Sequence, residues 1–390
     1  MKIVMAHNAY QQRGGEDAVV AAESELLRRQ GHTVIDFQRH NDALQHTPHW
    51  QIARDTVWSP GSKDALAQLI EQQRPDIVHV HNTFPQLSPS IYYAARQHRV
   101  PIVQTLHNFR LLCPQAMFLR NGSVCEDCLG KVPWRAGLRG CYRGSRLQSS
   151  LLAGMLTAHR AAGTWSHQIT RYIALNSFCR DKFIAGGLPA DRIRVKGNFA
   201  PDQPSDRIQQ ARDGFVFVGR LSEEKGVAAL MQAMTIHLAG HLKIVGSGPL
   251  AASVKGIRNV QPLGQVPPQQ VAGHLTRSLA LIVPSVTYET FGLVVVEAFA
   301  CGTPVIASRI GGLPELVEDG VTGLLFTPGD ATDLARKMAW AQAHPEAMEA
   351  MGRRARKRYE ADYTGDVNYK QLMAIYRDAI QEIRGTPDDN

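Results

Sequence analysis

The chain reads as an α/β protein built from two doubly wound, Rossmann-like parallel-sheet domains. Three observations predict this. Its 390 residues are long for one domain and suit two of about 150–200 residues each. Short apolar runs alternate with loops and amphipathic helical stretches, the pattern of strands buried on both faces by helices. The cycle also restarts near the middle, after the Pro-rich polar stretch 195–206.

In order, Ile3-Val4-Met5-Ala6 reads as a buried strand. It is followed by Arg13-Gly14-Gly15-Glu16 and a helix whose inner face carries Val19, Ala22 and Leu26, with Gly31 as its stop. Further strands are expected at 33–37, 77–81, 102–106 and 172–175. The second unit opens on Phe215-Val216-Phe217-Val218 and the loop Gly219-Arg220, with later strands at 242–245, 279–284 and 304–307. A last helix over 366–384 places Leu372, Tyr376, Ala379, Ile380 and Ile383 on one stripe. The spacing leaves open whether it packs on its own domain or crosses back to the first. The expected division is 1–197, 198–365 and 366–390, with disorder only in the last few residues, 385–390.

Hydrophobic content of 44% and charged content of 20% are ordinary for a soluble globular protein. The opening apolar run turns polar at His7 and Asn8, too soon for a signal peptide. No apolar stretch approaches the roughly 20 residues that span a bilayer, so a cytosolic location is expected. Residues 1–200 hold 24 Lys and Arg against 14 Asp and Glu, whereas 201–390 hold 19 against 21. The first half is therefore expected to meet something anionic. No nucleic-acid motif accompanies the charge, which favours a membrane surface or a phosphate-bearing acceptor; a merely solvated surface is the alternative.

In open α/β sheets, ligands bind beyond the carboxyl ends of the strands. Three segments belong there. In Gly219-Arg220-Leu221-Ser222-Glu223-Glu224-Lys225-Gly226, Arg220 and Lys225 suit a diphosphate, one by its forked guanidinium and one as a compact charge. In Pro284 to Ala298, a helix expected to begin near Phe291-Gly292 would turn the N–H groups of Phe291, Gly292 and Leu293 toward anionic oxygens. Glu289 precedes that helix and Glu297 lies within it among Val294, Val295, Val296, Ala298 and Phe299. A carboxylate in such company needs partners, which points to a ligand. Six helical residues rise about 9 Å, comparable to the span from a hexose to a ribose across a diphosphate. The third segment, Gly14-Gly15-Glu16, lets backbone approach a ligand closely, although a plain turn would look the same.

Together, Gly219-Arg220, Glu224-Lys225-Gly226, Gly246-Ser247-Gly248-Pro249, Glu289-x-Phe291-Gly292 with Glu297-Ala298, Gly302-Thr303-Pro304, Gly311-Gly312-Leu313-Pro314-Glu315 and Gly320-x-x-Gly323 closely resemble retaining glycosyltransferases of family 4, which have the GT-B fold. In the first half, Gly14-Gly15-Glu16, 76–82 and Thr105-Leu106-His107-Asn108 match the same family. The resemblance implies that Arg220 and Lys225 bind the diphosphate, Glu297 the ribose and Glu289 the donor sugar. It further implies that Gly15 approaches the phosphates, that His107 contacts the sugar near the reacting carbon, and that Gly246, Gly248 and Val266 hold the base by backbone groups. Many relatives have Asp where this chain has Asn108. The implied activity is transfer of a sugar from a nucleotide-diphosphate donor to a glycan or lipid-linked glycan acceptor, with retention. No Asp-x-Asp pair occurs, so no metal or other cofactor is expected for the chemistry.

Cys113, Cys125, Cys128 and Cys141 fall in a Gly-rich insertion over about 109–146. Their pattern suits a structural zinc ion, with four reduced thiols as the alternative; Cys179 and Cys301 stand alone. The same insertion carries Lys131, Arg135, Arg139, Arg143 and Arg146 interleaved with Trp134 and Tyr142, a composition suited to a phosphate-bearing or membrane-bound acceptor. The run 353–358 is read as a solvated helix face. His79 and His81 are read as strand-end packing, because no third metal ligand is in view. Competing functions are a nucleotide-sugar epimerase on the same scaffold and a catalytically silent nucleotide-sugar binder. A dinucleotide-dependent dehydrogenase is disfavoured, since no G-x-G-x-x-G follows the first strand.

Overall fold

Two six-stranded parallel sheets organise the protein in a computed structural model that describes residues 1–11, 14–203, 212–236 and 240–385. Arg13, residues 204–206 of the expected linker and 386–390 lie outside the described residues. The chain divides into two units, one of Met1–Met117, Glu126–Gly197 and Tyr369–Asn390, the other of Phe118–Cys125 and Asn198–Asn368.

The first unit holds strands β1 (Lys2–Ala9), β2 (Thr33–His40), β3 (Ile77–Asn82) and β4 (Ile102–Leu106). A hairpin of β5 (Leu119–Arg120) and β6 (Ser123–Val124) follows; it groups with the second unit although it lies inside the Cys-rich insertion. β7 (Arg171–Ala174) and β8 (Ile193–Val195) complete the first sheet in the order β2-β1-β3-β4-β7-β8. The chain runs outward from β1 to β2 and then returns to β1's other side, so the topological switch lies at β1 and β3. There the loops after the two strands leave in opposite directions and open a crevice.

The second unit repeats the plan with β9 (Phe215–Val218), β10 (Leu242–Val245), β11 (Val260–Gly264), β12 (Ala280–Val283), β13 (Val305–Ser308) and β14 (Gly323–Phe326). Their order is β11-β10-β9-β12-β13-β14, which puts the switch at β9 and β12. β12 and β13 are buried at every position, as the apolar run of β12 and the apolar start of β13, closed by the buried Ser308, lead one to expect.

The last helix, Gly365–Gly385, belongs to the first unit from Tyr369 onward. Its apolar stripe, Leu372, Tyr376 and Ala379 with Met373 and Ile375, joins a core with Ile3, Met5, Val20 and Leu27. Arg171 of β7 anchors it from the side, donating from Nε and Nη2 to Asp378 at 2.8 and 3.0 Å and pairing with Glu382. The run 353–358 is largely a solvated helix face whose long side chains also reach neighbouring segments. Arg353 and Lys357 face solvent, but Arg356 pairs with Asp202 and Glu360 and donates to the Ala300 carbonyl, while Arg354 and Arg358 donate to the carbonyls of Val321 and Glu315. The long cationic side chains cap carbonyl ends of neighbouring loops as well as meeting water.

Candidate active site

The switch in the second unit brings two of the anticipated segments side by side. The loop after β9 carries Gly219, Arg220 and Lys225; the loop after β12 carries Ser285 and Glu289 and runs into the helix Leu293–Ala300. Their packing depends on Gly226, at φ +69°, where an added Cβ would lie 1.8 Å from the Pro284 carbonyl oxygen. Gly246, after β10, is likewise pressed on the first loop, with the Gly219 carbonyl oxygen 1.9 Å from any Cβ. No side chain fits at either place. Gly248 lies beside Leu221, and Val266 is half-buried beyond β11, whose last residue Gly264 accepts from the Gly246 amide at 2.8 Å.

Within this frame Lys225 Nζ donates to Glu289 Oε1 at 2.6 Å, and Ser285 Oγ donates to the same oxygen at 2.6 Å. Burial works against both charges, yet each supports the other. Glu289 holds the Lys225 ammonium above its usual range, and Lys225 with Ser285 holds the Glu289 carboxyl below its own. Both groups are therefore charged at neutral pH. Arg220 is exposed and forms no ion pair among the described residues, so its guanidinium is available to an anion. Gly292 caps the helix at φ +89°, and the amides of Phe291, Gly292 and Leu293 have no hydrogen-bond partner among the described residues. Glu297 is half-buried one turn further on. Its carboxylate has no hydrogen-bond partner among the described residues, and burial alone raises its pKa. Cations, open amides and an unpaired acid near one strand edge are the groups by which a protein can hold a polyanion with hydroxyl groups.

The first unit has a second polar cluster at its own switch. Gly14 caps the helix Gly15–Arg29, and its amide donates to Asp17 at 2.7 Å. Asp17 also meets His7 Nε2 at 2.9 Å. Tyr10 donates its hydroxyl to Glu16 Oε2 at 3.0 Å, while Glu16 Oε1 is buried without a partner. Burial first, with Asp17 nearby, pushes the Glu16 carboxyl up to about 8. Nothing lies within 4 Å of a Cβ at Gly15, so that backbone is open to a ligand. His107, just beyond β4, meets His81 at 2.8 Å with the rings stacked, and burial lowers its pKa to about 3.

Several of these partners escaped sequence reasoning. Ser285 stands four residues before Glu289, and only the folded loop shows that it shares the carboxylate. The reading of His79 and His81 as mere strand-end packing needs correction, since Glu23 is a third donor beside them, all three within 4.8 Å. The alternation VHVHN on a strand buried at every position, facing a helix with an inward Glu, was the available signal. Lys196 Nζ already neutralises that carboxylate at 2.9 Å, which makes the cluster a buried polar network. Of the four clustered cysteines, Cys113 and Cys128 are buried and Cys125 and Cys141 half-buried.

Family models now fit the two units in turn. "Glycosyltransferase Family 4" matches residues 13–201, and "Glycosyl transferases group 1" matches 200–358. The chain belongs to glycosyltransferase family 4. A D-inositol 3-phosphate glycosyltransferase of Catenulispora acidiphila is 28% identical over 336 residues, covering 80% of this chain and 74% of that protein. Among solved structures, a sucrose-phosphate synthase from Thermosynechococcus elongatus superposes with a TM-score of 0.73 at 20% identity over 99% of this chain and all of its own. Anabaena Alr3699/HepE in complex with UDP gives 0.66 at 19% identity, over 96% of this chain and 99% of the other. These neighbours establish the GT-B fold of this family 4 glycosyltransferase, and the family establishes a nucleotide-sugar donor. Among the described residues, no helix is long and apolar enough to cross a membrane.

Proposed function

We propose that this glycosyltransferase transfers its sugar with retention and without a metal at the donor, to a glycan or lipid-linked glycan precursor. The observation that carries the reading is the Lys225–Glu289 pair at 2.6 Å, set beside open helix amides at the switch of the second sheet. Arg220, Lys225 and the amides of Phe291, Gly292 and Leu293 take the diphosphate. Glu289 accepts from the sugar hydroxyls and Glu297 from the ribose. Gly219, Gly246, Gly248 and Val266 border the base, while Gly14, Gly15 and His107 act from the first unit. As the bond from the anomeric carbon to the β-phosphate oxygen breaks, negative charge grows on that oxygen. The two cations and the amides are aimed at such charge, which is the largest contribution a protein commonly makes to this chemistry. No carboxylate is assigned to a double displacement. The acceptor hydroxyl therefore attacks from the leaving-group face and gives its proton to the departing phosphate.

UDP, bound by the HepE neighbour, is the first nucleotide to test. Labelled donor incubated with and without candidate acceptors, followed by assignment of the product's anomeric configuration, tests the reading. Acceptor-dependent transfer with the donor's configuration kept supports it. Acceptor-independent epimerisation, or binding with no turnover, refutes it.

An anionic membrane surface is the proposed setting of the acceptor. Val132, Trp134, Leu138 and Leu147 are 55, 57, 65 and 82% exposed, beside exposed Lys131, Arg135, Arg143 and Arg146. Trp134 and Leu138 share one face of the helix Trp134–Arg139. Apolar side chains flanked by cations suit insertion among anionic headgroups. Co-sedimentation with anionic vesicles at low salt tests this, and absence of binding refutes it. A structural zinc ion on Cys113, Cys125, Cys128 and Cys141 is also proposed, on their spacing in the sequence alone, because among the described residues these sulfurs do not form a group close enough to share an ion. Metal analysis of the purified protein should find about one equivalent of zinc, as one four-sulfur site requires.

A further inference from the structure

Under the first sheet, a chain of polar groups leads from the helix Gly15–Arg29 to the end of β4. Lys196 Nζ donates to Glu23 Oε1 at 2.9 Å. Glu23 Oε2 lies 3.5 Å from His81 Nε2 and 4.0 Å from His79 Nδ1, so His81 is the nearer ring. The same His81 nitrogen meets Met5 Sδ at 3.0 Å. On its other side, His81 Nδ1 meets His107 Nε2 at 2.8 Å. Glu23, His79 and His81 are at most 3% exposed.

We infer that Glu23 is a positioning residue, which through His81 holds His107 in the Nε2–H tautomer and so leaves Nδ1 of His107 as a hydrogen-bond acceptor. The argument is a count of donors. A carboxylate and a thioether both accept and cannot donate. His81 Nε2 faces one of each, so it must carry a proton. Burial, with His79 and His107 close by, keeps His81 neutral, which leaves Nδ1 with a lone pair. The bond at 2.8 Å then requires His107 Nε2 to be the donor. His107 is itself neutral, its pKa lowered to about 3 by burial, so its Nδ1 carries a lone pair. On the proposed role of His107 at the donor sugar, the ring accepts from a sugar hydroxyl and does not act as a proton donor. This clause rests on the proposed function; the tautomer does not.

The inference makes a specific demand of Glu23→Gln. Lys196 can only donate, so the amide oxygen takes the place of Oε1 and the NH2 group turns to His81 Nε2. That nitrogen must then accept, His81 becomes Nδ1–H, and His107 is driven to Nδ1–H in turn. Long-range proton–nitrogen correlation spectra of the full-length labelled protein read each tautomer directly. Rings are assigned by the loss of signals in His81→Asn and His107→Asn.

Expected are Nε2–H for both rings in the unmodified protein and Nδ1–H for both in Glu23→Gln. His107 found as Nδ1–H in the unmodified protein, or tautomers unmoved by Glu23→Gln, overturns the inference; the first outcome does not depend on Glu23→Gln folding. With a working donor, Glu23→Gln should also lower turnover about tenfold, the worth of one hydrogen bond, with UDP affinity unchanged. Inverted tautomers with full turnover would uphold the relay and instead refute the role of His107 at the sugar.

Discussion

Lys225 and Glu289 meet at 2.6 Å across two loops, 64 positions apart in the chain, and each keeps the other charged where burial would discharge it. The pair sets a cation and an acid together at the edge of this sheet. Before a donor arrives, each is the other's counter-ion. On the proposed function, a diphosphate that takes the ammonium would release the carboxylate to sugar hydroxyls without either charge crossing an unpaired state.

Lys225→Ala and Glu289→Ala are each expected to lower turnover at least about a hundredfold, the scale of a lost preorganised charge. Because the two share one bond, the double variant should lose far less than the product of the two. Steady-state rates of the four proteins check this, and near-normal rates in either single variant contradict it.

On the proposed ribose role, the burial of Glu297 is a cost borne for binding. Burial raises its pKa in the folded state, so the stability that it contributes is complete below the unfolded value and falls as pH rises through the folded one. Glu297→Gln should therefore raise the thermal midpoint at neutral pH while weakening binding of a nucleotide diphosphate. Thermal denaturation and calorimetric titration on the same preparation test both halves.

Glu16 offers a wider pH window. Its folded-state pKa of about 8 lies above the ordinary glutamate value of 4.5, so the same sign applies and stability is lost between those values. The charged and titratable neighbours facing it are Tyr10, Asp17 and Arg110. The midpoint gained by Glu16→Gln should grow as pH rises from 4.5 to about 8 and level off above. A difference that shrinks over that range would show that Glu16 is ionised in the fold at low pH.

The final helix is expected to be part of the first unit's stability. Tyr376 Oη and His79 Nδ1 bond at 2.7 Å in a fully buried setting. Tyr376→Phe leaves that bond unmade and should cost about 1–3 kcal/mol, seen as a lower midpoint in denaturant unfolding. Removal of residues from Tyr369 onward strips the sheet of its apolar cover and should leave the protein insoluble or unfolded.

Much of this was legible in the residues. Leu281-Ile282-Val283 and Phe215 to Val218 could only be buried strands, and the Gly-Pro punctuation around them announced the loops that carry Arg220 and Glu289. β11 was missed because VQPLG is largely exposed and contains Pro262, so it lacks an apolar run. The last helix's stripe was plain, but its destination depends on Arg171 and on the face of β1, which no local spacing encodes. The Glu23–His81–His107 chain was invisible for the same reason: it joins a helix and two strand ends that only sheet order brings together.

The most direct test of the account is a crystal structure of the protein with a nucleoside diphosphate, UDP first. The account places the β-phosphate against Arg220, Lys225 and the amides of Gly292 and Leu293, with a ribose hydroxyl on Glu297. A nucleotide seated elsewhere, with these residues untouched, would contradict it.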